Sequence, residues 1–139
     1  MSKEIIERAG EIIAQSTGSK GHCVLALLDE NGCPTASTIS PAKSEGIDWI
    51  TFCTGLAANS ARRAQNCPRA CVCFSTGAYN ISLAGQIEVL TDAETKREMW
   101  YDGLEHHFSG PDDPNYCVLR FRTQRYNLLV DWKEARGAL

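Results

Sequence analysis

The sequence has no apolar run of the roughly 20 residues that a membrane-spanning helix needs. Its start, MSKEIIERAGEIIAQS, lacks the apolar core of a secretory signal and threads charges between its isoleucines instead. A cytoplasmic protein is the expectation. Basic residues are in slight deficit, 14 Lys and Arg against 17 Asp and Glu for a net charge of −3, which disfavours nucleic acid as a general partner. C-x-x-C pairs are missing, so the seven cysteines do not read as a zinc site. Their odd number and the missing signal argue against a disulfide framework, which leaves buried, inert thiols. Repeats, linkers and low-complexity stretches are absent as well, so residues 1–139 read as one domain.

What is present is periodicity. Over residues 3–16, Ile5, Ile6, Ala9, Ile12 and Ile13 fall on one helical stripe, and GSKG then stops the helix, which occupies residues 1–18. HCVLALLD reads as a buried strand, ENG as a tight turn, and PTASTIS as the returning strand of a hairpin. PAKSEG reads as a loop. DWITFCT is a strand that alternates Trp49, Thr51 and Cys53 against Ile50 and Phe52.

Residues 57–66 read as a helix that ends before Pro68. RACVCFS and YNISLAGQIEVL form a second hairpin, in which Cys71 and Cys73 share a face and Gly85 marks a bulge or bend. A third helix covers TDAETKREMWYDGLEHHF, capped by Thr91 or Asp92, with Glu94 able to complete a capping box with Thr91. SGPDDPN is a loop, and YCVLRFRT and RYNLLVDW are the final two strands. Six or seven strands with three helices, mostly joined by short turns, define a mainly β (α+β) chain with an antiparallel, strongly curved sheet over residues 20–132.

One stretch asks for an explanation in chemistry. TGLAANSARRAQNCP sets Arg62 and Arg63 side by side, with Ser60 close by, at the start of a helix. Adjacent cations repel unless solvent or an anion lies between them, so the stretch is either a solvated helix face or an anion site. His106 and His107 point in different directions on a helix and have no carboxylate spaced to complete a metal set. Helix-end capping or a subunit contact is the simpler reading. Trp100, Tyr101 and Trp132 read as core or dimer packing residues. No nucleophile–histidine signature stands out.

The order of segments resembles the FMN-binding split-barrel family related to pyridoxamine 5′-phosphate oxidase, in its short general-stress-protein-like branch. Four pieces carry the likeness, which runs from about residue 20 to residue 132: ASTIS, ITFCTG with the following helix and NCP, ACVCFS to YNISLAGQIEVL, and EMWYDGLEHHF to the final strands.

The resemblance implies an antiparallel split β-barrel that binds FMN as a homodimer, with the flavin in a cleft at the subunit interface. It implies that Ser60, Arg62 and Arg63 are candidates for the phosphate. Ser37, Thr38, Ile39 and Ser40, with Phe52, Cys53 and Thr54, would run beside the flavin. Asn80 stands where the larger oxidases place a glutamine that reaches FMN from the second subunit; a turn-capping asparagine is the alternative. Residue type alone makes Thr38 and Thr54 plain strand residues. The implied activity is a flavin-dependent oxidoreductase acting on a small molecule, with NAD(P)H as a candidate donor. A true pyridoxamine 5′-phosphate oxidase is not expected, because no arginine- and histidine-bearing segment follows DWKEARGAL. Flavin storage, or a barrel holding deazaflavin or haem with His106 or His107 as ligand, are the alternatives.

Overall fold

Two long strands organise the computed structural model, which describes residues 2–139; Met1 lies outside the described residues. In chain order the elements are α1 (Ser2–Gln15), β1 (Cys23–Leu28), β2 (Pro34–Ile39), β3 (Pro41–Glu45), β4 (Trp49–Gly55), α2 (Asn59–Asn66), β5 (Arg69–Ser75), β6 (Tyr79–Leu90), α3 (Ala93–Met99), a 3-10 turn (Leu104–His106), β7 (Tyr116–Val130) and β8 (Lys133–Ala138). Every strand pairing is antiparallel, in the order β2-β1-β5-β6-β7-β4-β3, with β8 added to β7. The result is a sheet curled into a half-barrel.

β7 explains the split. One of its edges follows β6 from Val118 to Val130, while the other serves two partners in turn. Tyr116–Arg122 pairs with β4, and Arg125–Val130 pairs with β8. The change of partner falls at a bulge, where Ala84 pairs with Arg125 but Gly85 pairs with Thr123, so that Gln124 is the extra residue. A Cβ on Gly85 would stand 2.0 Å from the Arg122 carbonyl oxygen, which is why the position is glycine. Thr123 N–H then bonds the Asp48 carbonyl at 2.9 Å on one side of the gap, and Leu139 N–H bonds the Gln124 carbonyl at 2.9 Å on the other.

The main core lies on the concave side. Leu25, Phe52, Val72, Phe74, Leu83 and Phe121 fill it from the strands, while α1 contributes Ile5, Ala9, Ile12 and Ile13, and α2 contributes Ala61 and Ala64. Each fully buried large side chain contributes about 1.5–3 kcal/mol, so α1, with three isoleucines inside, is an integral wall. A smaller cluster of Met99, Leu104, Phe108, Tyr116 and Val118 sits on the other face of β4 and β7. Strand alternation in β4 therefore feeds two cores: Ile50 and Phe52 enter the first, while Trp49 and Cys53 pack against the second.

Three expectations are corrected. PAKSEG is strand β3. Its pairing with β4 shifts between Pro41 and Ser44, and there the buried Thr51 hydroxyl accepts from Lys43 N–H at 3.1 Å and donates to its carbonyl at 3.3 Å. A side chain thus stands in for the ladder, and Pro41 is tolerated because β3 is an edge. The final two strands are one, β7, because TQR forms a bulge and not a turn. The real hairpin turns at Asp131 and Trp132, at φ 52° and 63°, into β8, which the sequence reading missed. The third helix stops at Met99, so Trp100 and Tyr101 are outside it and His106 is in the 3-10 turn. Its cap is Asp92, whose carboxylate accepts from Thr95 N–H at 3.0 Å.

Trp100 packs edge-on against Tyr116 at 5.3 Å, as a packing residue should. Trp132 is 80% exposed at its turn in the single chain. Among the described residues no helix is long and apolar enough to cross a membrane.

Candidate functional site

The start of α2 is built from the chain on both sides of it. β4 ends at Gly55, and the next two amides are taken by Asn115: Leu56 N–H donates to its backbone carbonyl at 2.6 Å and Ala57 N–H to its side-chain oxygen at 3.2 Å. A Cβ on Gly55 would come within 2.7 Å of Asn115 Nδ2 and would push that side chain aside. Ala58 follows as N-cap, in extended conformation, and supplies no side-chain cap.

The first intrahelical bond is Arg62 N–H to the Ala58 carbonyl, at 3.2 Å. The Asn59, Ser60 and Ala61 amides precede it and lie at the positive end of the helix dipole, with no acidic residue in the first turn.

Burial of Ala61 and Ala64 fixes the rotation of α2, and so the direction of its cations. Arg62 is exposed, and its Nη2 donates to Asn59 Oδ1 within the same helix. Arg63 is half-buried and reaches across to β2, where Nη1 donates to Thr35 Oγ1 at 3.2 Å. The adjacent arginines diverge, each to a neutral acceptor, and among the described residues no ion pair involves either.

Alternation along β2 places Ser37 and Ile39 on the face of Thr35, and Thr38 on the opposite one. Thr35, Ser37, Ile39 and Arg63 are thereby brought together; the Thr38 side chain is not. Ser40 is half-buried at the passage from β2 to β3.

On β4 the three predicted residues separate. Phe52 is fully buried in the main core, which leaves only its backbone to a ligand. Cys53 faces the smaller cluster, where its thiol donates to the Met99 carbonyl at 3.3 Å and lies 3.5 Å from the Tyr116 hydroxyl. Burial pushes the Cys53 thiol up to about 11, which keeps it protonated and unreactive. Thr54 is half-buried at the strand end, on the Phe52 face, just before the loop held by Asn115.

Asn80 is exposed at the start of β6, where its Oδ1 accepts from the Cys73 thiol at 3.5 Å, and no hydrogen bond joins it to β2, β4 or α2. His106 and His107 are exposed and stand apart from these residues. Among the described residues no group of three or more His, Cys, Asp or Glu could hold a metal.

The single chain offers these residues as an open surface. A cavity of about 440 Å³ lies elsewhere, between α1 and the β7–β8 hairpin, against Ile5, Arg8, Val130 and Asp131. None of the predicted residues lines it. Sequence reading missed Thr35, Asn59 and Asn115, which orient the arginines and the loop. The Asn115 signal was available in PDDPN, where an asparagine precedes a strand, but its contact with residues 56 and 57 is long-range.

What this arrangement can do chemically is hold a compact anion. Free amides at a helix start, a hydroxyl and two guanidinium groups without carboxylate partners supply only donors and positive charge, which fits a phosphate dianion.

The curled antiparallel sheet, split along β7 and with a helix start following strand β4, is that of a split barrel of the pyridoxamine 5′-phosphate oxidase type. The pyridoxamine 5′-phosphate oxidase family matches residues 11–129, and the chain belongs to it. General stress protein 26 of Bacillus subtilis (strain 168) is 25% identical over 119 residues, 76% of this chain and 85% of that protein. The solved structure of a related protein from Clostridium acetobutylicum superposes with a TM-score of 0.85 at 22% identity, covering 100% of this chain and 97% of that one.

Two further solved structures share the fold. An FMN binding protein related to pyridoxamine 5′-phosphate oxidase, from Nostoc punctiforme PCC 73102, has a TM-score of 0.68 at 14% identity, over 96% of this chain and 93% of that one. A heme binding protein from Mycobacterium smegmatis has a TM-score of 0.74 at 21% identity, over 96% of this chain and 57% of that one.

Proposed function

We propose that the protein is a cytoplasmic, homodimeric FMN-binding flavoprotein and a flavin-dependent oxidoreductase acting on a small molecule. The observation that carries this reading is the uncapped, acid-free start of α2, with Arg62 and Arg63 beside it. Family membership and the FMN-binding relative support it.

In this reading the Asn59, Ser60 and Ala61 amides, the Ser60 hydroxyl and the two guanidinium groups hold the phosphate. Arg63, already oriented by Thr35, needs little reordering to do so. Ser37 to Ser40, with the backbone of Phe52 and Cys53 and the Thr54 hydroxyl, run along the ribityl chain and ring. The second subunit closes this open surface into a cleft and contributes Asn80. Bound FMN supplies the redox chemistry. The chain's own part is to bind, orient and exclude water, so a donor such as NAD(P)H and an acceptor require no acid or base from the protein.

The visible spectrum of the purified protein, with release of whatever is bound, tests the reading. The expected result is an oxidised-flavin spectrum, stoichiometric FMN on release, and bleaching by NADH or NADPH. A flavin that binds tightly but is not reduced would make this a storage protein. A Soret band lost on replacing His106 or His107, or release of a deazaflavin, would replace FMN as the ligand.

A further inference from the structure

Among the described residues one charged side chain is buried, Lys96 of α3, at 8% exposed. It lies beside Tyr116 of the smaller cluster, with its ammonium 5.4 Å from the ring centre and Nζ donating to the Asp113 carbonyl at 2.9 Å. No carboxylate forms an ion pair with it among the described residues. Taking an ammonium out of water costs free energy that a carbonyl and a ring face offset only in part. An apolar side chain of that length would pack beside Tyr116 without the cost, so stability gives no reason for a lysine.

What Lys96 holds is a loop. Asp113 closes residues 109–115 with its carboxylate: Oδ2 accepts from Ser109 N–H at 3.0 Å and Oδ1 from Asn115 N–H at 2.9 Å. Those N–H groups, that of Ser109 first, keep the Asp113 carboxyl below its usual range, with a smaller contribution from the Lys96 charge. Asn115 then reaches the entry to α2, taking Leu56 N–H on its backbone carbonyl and Ala57 N–H on its side-chain oxygen. Ala58 gives α2 no side-chain cap of its own. The first turn of α2 is thus placed by a contact 58 residues away in sequence.

We propose that Lys96, acting through Asp113 and Asn115, is a positioning residue for the phosphate site at α2. The proposal rests on the FMN reading above. A fixed helix start presents the Asn59, Ser60 and Ala61 amides without reordering, so the relay acts on affinity for a phosphate-bearing ligand and little on stability.

Fluorescence titrations with FMN and riboflavin test it on the wild-type protein, Lys96→Met, Asn115→Ala and the double variant. Lys96→Met fills the same space without the charge. It should keep cooperative unfolding while weakening FMN about fivefold and riboflavin hardly at all. Asn115→Ala, at an exposed position, should do the same. Because both act through one relay, the double variant should lose little more than either single one. In ligand-free Lys96→Met, hydrogen exchange at the Leu56 amide should quicken. Linkage requires the reverse in the wild-type protein: FMN should slow exchange at the Ser109 and Asn115 amides, which is read even where Lys96→Met does not fold. An unchanged FMN preference in Lys96→Met, additive losses in the double variant, or Ser109 and Asn115 amides that ignore bound FMN overturn the proposal alone. Wild-type protein that binds no FMN overturns the flavin reading and the proposal together.

Discussion

Arg63 Nη1 donates to Thr35 Oγ1 across 3.2 Å, so α2 and β2 meet through one guanidinium. The Thr35 hydroxyl in turn donates to the Leu27 carbonyl at 2.7 Å, which fixes its lone pairs toward the arginine. Arg62, one residue earlier, turns back to Asn59. Two like charges adjacent in sequence are thereby splayed to either side of a helix start whose own amides are free.

The bulge in β7 gives a first prediction. Gly85→Ala forces a methyl group against the Arg122 carbonyl, at 2.0 Å before relaxation, and backbone has little room to retreat. Loss of about 3 kcal/mol or more is expected in urea unfolding, at the upper end for overpacking. Loss below about 1 kcal/mol would mean that the sheet changes partners without needing the close approach.

The β7–β8 turn gives the opposite sign. Asp131 and Trp132 both hold positive φ, at 52° and 63°, where side chains are disfavoured. Trp132 is 80% exposed, so little packing is lost on removing it. Trp132→Gly should stabilise the isolated protein by about 1 kcal/mol, with flavin binding measured in parallel.

Buried thiols set an alkaline limit. Burial, with a smaller contribution from Cys73, pushes Cys23 up to about 12, and burial pushes Cys117 up to about 11, from the ordinary value of 9.0. The folded state holds these protons more tightly than the unfolded chain. Their contribution is therefore full below about pH 9 and falls as pH rises toward 11 and 12, where the unfolded chain has already released its protons. Urea midpoints compared at about pH 8 and pH 10.5 should drop, and the drop should be smaller in Cys23→Ala. An equal drop in that variant would assign the alkaline loss to other groups.

Most of the fold was legible because its signals are local. The stripe of Ile5, Ile12 and Ile13, the alternation of β4 and the glycine at 85 each express a rule that acts within a few residues. The sequence reading failed where distant groups decide. Thr51 repairs the ladder that makes PAKSEG a strand, and β8, with only Ala135 buried among Lys133–Ala138, has no apolar pattern to read. TQR reads as a break because a bulge and a turn both interrupt alternation.

The site was legible as a composition and less so as a geometry. Arg62, Arg63 and Ser60 stand at a helix start as expected, but the acceptors that splay the arginines, Asn59 and Thr35, follow from helix rotation and from the position of β2. Thr38 and Cys53 turn away from the faces carrying Ser37 and Phe52, a consequence of strand alternation once the register is known.

The phosphate grip at α2 is tested most directly by comparing FMN with riboflavin, which lacks the phosphate, in fluorescence titrations of the wild-type protein and of Arg62→Ala with Arg63→Ala. The double variant should lose at least about tenfold in FMN affinity, with riboflavin affinity nearly unchanged, because charge-assisted bonds of about 1.5–3 kcal/mol are removed from one ligand only. Equal losses for both ligands, or no FMN binding by the wild-type protein, would contradict it.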